Sequence, residues 1–141
     1  MKRWLKIITV GMAVALVAVQ LVPVARVNPP ERGQPPAPPE VQGLLQRACY
    51  DCHSNETRWP WYASVAPVSF LIARDIREGR RELNFSLWDG YDERRKTRKL
   101  KEITEQVEQA KMPQWYYVLF HPQAKLSASE RATILKWAKR S

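Results

Sequence analysis

The chain has 141 residues and a formal charge of +9, which leaves room for one modest domain and a leader. The excess charge is uneven. Residues 1–25 carry Lys2, Arg3 and Lys6 without a carboxylate, residues 26–73 balance, and residues 74–101 hold ten basic and six acidic side chains. Such a surplus suits an acidic protein partner, anionic lipid headgroups or a plainly solvated helix face. No nucleic-acid motif accompanies it, so no nucleic-acid partner is expected.

In chain order, the basic start precedes an apolar run, Ile7 to Val22, broken only by Thr9, Gly11 and Gln20. With its flanks, Leu5 to Ala25 reaches the roughly 20 residues that cross a bilayer. Residues 1–27 are therefore expected to form a single transmembrane helix anchored in the cytoplasmic (inner) membrane. Its basic end stays inside, and the rest of the chain lies in the periplasm or outside the cell. A cleavable signal peptide is the alternative, although Pro23 spoils the best cleavage site, which ends at Ala25. Residues 28–39 (NPPERGQPPAPP) are a proline-rich linker with little to fold around. As polyproline II, at ~3.1 Å per residue, they would span about 35 Å and hold the domain away from the membrane.

The folded domain is expected over 40–141 and to be all-α. Val41, Leu44, Leu45 and Ala48 recur at i, i+3, i+4 and i+7 along a first helix that follows two prolines. This helix runs into Cys49-Tyr50-Asp51-Cys52-His53, which holds both cysteines of the chain. C-x-x-C-H is the attachment signature of a c-type haem. Cys49 and Cys52 add to the vinyl groups, and His53 becomes the proximal iron ligand. A thioredoxin-like dithiol wants a βαβ pattern, which is missing here. A zinc site would need His121 as well as His53, without the paired histidine spacing of zinc modules. A Cys49–Cys52 disulfide would close too short a loop to stabilise much.

Residues 54–63 are aromatic and turn-rich. Trp59, Trp61 and Tyr62 either pack against the haem edge or fill the core, and Arg58 or Trp59 could donate to a propionate. A second helix opens at Pro67 with a stripe of Val68, Leu71, Ile72 and Ile76, and Gly79 and Asn84 mark its end. A third, from about Asp92 to Lys111, buries Leu100, Ile103, Val107 and Ala110. Met112-Pro113 ends it. Met112 is the one methionine outside the N-terminal segment, and a thioether suits iron opposite an imidazole. His121 is the competing distal ligand, Lys111 a remote one, and an open position would make the protein a sensor or a peroxidase-like enzyme. Residues 114–126 read as a loop in which Trp115, Tyr116 and Tyr117 close the distal side. Ser127-x-x-Glu130 is a capping box that starts a last helix. Its stripe is Ala128, Ala132, Leu135 and Ala138, flanked by Ile134 and Trp137.

The order of helix, C-x-x-C-H, further helices, Met-Pro and a closing helix resembles a class I cytochrome c. The stretch CYDCHSNETRWPWYASVAPVSFLIARDIREGRRELNFSLW, with the Met-Pro segment and the LS-x-x-E helix, resembles the bacterial haem-binding domain family more closely, from about Val41 to Lys139. The resemblance implies a small cytochrome c-like helical domain around one covalent haem c, held by Cys49 and Cys52, with His53 proximal and Met112 distal. Members often carry glycine two residues before this methionine, where Ala110 stands here. The expected role is single-electron transfer rather than enzymatic turnover. The expected partner is a redox protein, and the basic 74–101 region would steer one with an acidic surface.

Overall fold

The computed structural model describes residues 2–140, and among these the fold is helical with no strand. The helices are α1 (Lys2–Val19), α2 (Pro39–Ala48), α3 (Tyr50–His53), α4 (Val68–Glu82), α5 (Glu93–Glu108), α6 (Trp115–Phe120) and α7 (Ala128–Ala138). Short 3-10 turns lie at Trp61–Ser64, Phe85–Gly90 and Pro122–Ala124. The core sits where α2, α5 and α7 meet. Val41, Leu44, Leu45 and Ala48, Leu100, Ile103 and Val107, and Ile134, Trp137 and Ala138 form one buried cluster, with α7 packed against both α2 and α5.

Local chemistry sets the helix ends. The Asp92 carboxylate accepts from the Arg95 N–H at 2.7 Å and starts α5. Ser127 and Glu130 form the expected reciprocal box at the start of α7, and Glu130 also accepts from Arg47 at 2.6 Å. The α7 face differs from the one expected: Ile134, Trp137 and Ala138 are buried, while Ala128 and Ala132 are exposed. Ile134 and Trp137 have the larger apolar surface to bury, and they set the rotation of the helix. On α4 only Ile76 of the expected stripe is buried; Val68 and Leu71 remain exposed because nothing packs over them. Within 114–126, Trp115–Phe120 form a helix rather than a loop.

The N-terminal expectation needs correction. The helix spans only Lys2–Val19 and includes Lys2, Arg3 and Lys6. No helix among the described residues is long and apolar enough to cross a membrane. The helix stops because Gln20 turns to the domain: its amide donates to the Ala66 carbonyl at 3.0 Å and accepts the Ala66 N–H at 2.9 Å. Pro23 follows, and Pro cannot continue a helix.

Residues 28–39 are not a free linker either. They form a strap fastened along the domain. Asn28 donates to the Thr57 carbonyl, the Pro30 carbonyl accepts from Asn55, and the Arg32 N–H donates to the Ser86 carbonyl at 2.6 Å. Pro35 is buried, and the Pro36 carbonyl accepts the Trp137 indole N–H at 3.0 Å. Gly33 has φ +100° and passes so close to Asp89 that a Cβ would overlap its carboxylate. Proline composition favours an extended backbone, and that extended backbone leaves its carbonyls open to the domain's side-chain donors.

Candidate functional site

α2 ends at Ala48, and Cys49 caps it, its N–H donating to the Leu45 carbonyl at 2.8 Å. The next four residues wind one helical turn, held by the His53 N–H on the Cys49 carbonyl at 2.9 Å. Cys49, Cys52 and His53 therefore stand at i, i+3 and i+4, on one helix face. All three line a cavity of about 450 Å³, within the range of small-molecule and cofactor sites. Its wall is largely apolar, with Leu45, Leu83, Phe85, Ile103, Val107 and Ile134 contributing.

His53 Nδ1 lies 2.9 Å from the Gly79 carbonyl oxygen and 3.1 Å from that of Leu83. Two acceptors at one ring nitrogen place the proton on Nδ1 and leave the Nε2 lone pair free. Metal-bound histidines carry the same outer hydrogen bond, to a backbone carbonyl or carboxylate. Burial holds the imidazole below its ordinary pKa against the opposing pull of those carbonyls, so it is neutral at pH 7.

Cys49 and Cys52 are not bonded to each other. Burial first, and the neighbouring Cys52 second, push the Cys49 thiol up to about 12. Burial and then the Asp51 carboxylate push Cys52 up to about 12. A redox dithiol needs a depressed pKa and a ready thiolate, which this site opposes. Asp51 is itself buried, accepting from Arg58 at 3.2 Å and from the Tyr117 hydroxyl at 2.6 Å. Tyr117, which also lines the cavity, is raised well above the ordinary phenol range by burial and by that hydrogen bond.

Met112 reaches the same cavity from the end of α5. The Lys111 N–H donates to the Gln106 carbonyl at 3.0 Å and the Ala110 N–H to the Val107 carbonyl at 3.1 Å, the paired bonds of a Schellman ending. Ala110 takes the left-handed position at φ 52°, where glycine usually stands. The expected helix to Lys111 therefore stops at Glu108, and the turn sends Met112 to the cavity wall.

Two thiols on one face, an imidazole with a free Nε2, a thioether and an apolar wall fit a haem. The haem-binding domain profile matches residues 14–140. The chain belongs to the haem-binding domain family. It has no match among the curated proteins or solved structures compared with it.

Other residues of this haem-binding domain fall outside the cavity. His121 stacks on Tyr117 at 4.3 Å between ring centroids, its Nδ1 donates to the Tyr117 carbonyl, and its Nε2 accepts from the Tyr62 hydroxyl at 3.1 Å. Both nitrogens are engaged away from the cavity, so neither the zinc set nor a bis-histidine set is assembled. Lys111 is exposed. Arg58 is paired with Asp51, and Trp59 does not line the cavity. Among the described residues no lysine or arginine lines it, and the charged residues of 74–101 that do are the carboxylates Asp75, Glu78 and Glu82.

Gly79, where the sequence suggests a helix end, is a functional residue that sequence reasoning misses. It sits inside α4, where a Cβ would lie 2.6 Å from the Cys52 carbonyl oxygen. Only glycine lets α4 approach the motif closely enough for its carbonyl to reach His53. An isolated glycine inside a helical pattern was the available signal.

Proposed function

We propose that this domain carries one haem c attached through Cys49 and Cys52, with His53 and Met112 as axial iron ligands, and serves as a single-electron carrier. The observation that carries this reading is the His53 imidazole, fixed by the Gly79 and Leu83 carbonyls with Nε2 free, on a cavity that also holds both thiols and Met112. A bound haem supplies a one-electron iron couple, and a histidine/methionine pair raises its potential. The chain's part is to keep His53 neutral and oriented, present the thioether at the end of α5, and keep water out with the apolar wall.

The partner would be a redox protein. Because the basic surplus lies off the cavity, it would steer that protein's approach from a distance rather than at the site. Export across the cytoplasmic membrane fits covalent haem attachment, with the basic and apolar α1 as the export signal and membrane-associated segment.

Carbon monoxide added to the reduced protein tests the ligation. The wild type should be unreactive, Met112→Ala should bind carbon monoxide with a lowered potential, and His121→Ala should behave as wild type. Ready binding by the wild type would favour a sensor or peroxidase-like protein with a displaceable sixth ligand.

A further inference from the structure

Three elements near the site leave large apolar side chains uncovered. Trp61 is 79% exposed and Trp115 77%, and Val68, Leu71, Leu119 and Phe120 are exposed beside them. They border one another, because side chains of α6 touch both the 61–64 turn and α4. Tyr62 meets the Phe120 ring at 5.9 Å, and the Tyr116 hydroxyl donates to Asp75 at 3.1 Å. Val68, Leu71 and Asp75 follow one stripe of α4, so that contact places α6 alongside Leu71. Scattered apolar residues are ordinary on a protein surface, whereas a contiguous aromatic patch marks a contact face.

The origin of α1 points to the occupant. This helix is apolar on nearly all sides and buries none of its residues. A helix apolar all round belongs in a core or in lipid. It leaves the domain at the edge of the same patch, where Gln20 is bonded in both directions to Ala66 and Arg26 donates to Ser64. The strap that follows is fastened along the domain, so the domain has no slack with which to move away from α1. Wherever α1 meets lipid, the Trp61–Leu71 corner is next to it. Tryptophan beside aliphatic residues is the composition found at a membrane–water interface, and the exposed Arg74 lies one turn from Leu71 to meet headgroups.

We propose that the face built by Trp61, Val68, Leu71, Trp115, Leu119 and Phe120 rests on the lipid bilayer beside α1. The domain then lies on the membrane surface instead of standing off on a linker. The wall of the cavity formed by Met112 and Tyr117, at and near the start of α6, is held close to the bilayer. This rests on the membrane association of α1 proposed above.

The test uses the full haem-loaded chain on vesicles of phosphatidylcholine and phosphatidylglycerol that contain a lipid with a diazirine in its acyl chain. After illumination, mass spectrometry maps the labelled peptides. Labels should fall in α1 and also within 61–71 and 115–120. The Leu71→Asp/Leu119→Asp variant, with its haem spectrum unchanged, should lose the domain labels and keep those in α1. If that variant loses its spectrum, Trp61→Ser/Trp115→Ser replaces it. Labels confined to α1 would overturn the proposal while leaving the anchoring intact, and would point to a protein or a second copy on the patch. Labelled domain peptides that survive both double variants would overturn it too. A chain that neither floats with vesicles nor takes label would overturn both readings.

Discussion

The Gly79 carbonyl oxygen lies 2.9 Å from His53 Nδ1, and the missing Gly79 side chain is what allows that distance. Gly79→Ala favours the helix by about 1 kcal/mol in isolation. Here the new Cβ would meet the Cys52 backbone at 2.6 Å, and a backbone oxygen cannot swing aside as a flexible side chain could. A net loss of about 1–3 kcal/mol in urea denaturation is expected, the usual cost of overpacking. The visible spectrum should change as well, because His53 loses its fixed orientation.

Much of the site is written locally. The α2 stripe and the Ser127–Glu130 box depend on residues close together in the chain and form as expected, and so does the α5 stripe at Leu100, Ile103 and Val107, whereas Ala110 lies past the helix end and is exposed. The role of Gly79 is not legible locally, because its reason is an approach to Cys52, 27 positions away. The strap is not legible locally either, because proline content describes the free chain, whereas Asn55, Ser86 and Trp137 hold it from far along the sequence. The α4 stripe was apolar as read, but periodicity cannot tell a face packed against the domain from one left for another surface.

Ala110→Gly should stabilise the domain. A residue with a Cβ in the left-handed region costs roughly 1–2 kcal/mol. The greater freedom of glycine in the unfolded chain offsets about 0.4–1 kcal/mol of the gain. A net increase of about 0.5–1 kcal/mol is expected in urea denaturation. The carbon monoxide response should stay that of wild type, because the turn that delivers Met112 is kept.

Arg80 ties the start of the strap to the segment that follows the C-x-x-C-H motif. Its guanidinium donates to the Ser54 and Val27 carbonyls at 2.7 and 2.8 Å, and to Asn28 Oδ1 and Thr57 Oγ1 at 2.9 Å each. Arg80→Ala should cost about 2–3 kcal/mol, since hydrogen bonds from a charged donor are worth more than neutral ones. Limited proteolysis should then cut within residues 20–36 while the haem spectrum persists. Arg80→Lys should restore little, because one ammonium cannot fork to four acceptors.

Alkaline stability should report Tyr50. Its ring is buried against Phe85 and its hydroxyl accepts from Gln42 at 2.8 Å. Burial raises its pKa from 10.0 to about 12, with the Gln42 bond pulling the other way. Between those values the folded chain keeps the phenol proton and the unfolded chain loses it. That contribution is therefore full below pH 10 and falls as pH rises toward about 12. Tyr50→Phe should flatten the decline in denaturation midpoint over this window.

The most direct test of the central claim is the haem content of the wild-type protein, exported from cells able to attach haem. Purified protein is treated with acidified organic solvent, and the peptide containing Cys49 to His53 is weighed. The expected result is one haem per chain, retained through extraction and found on that peptide through both cysteines. A colourless protein, or a haem that the solvent removes completely, would contradict the covalent site.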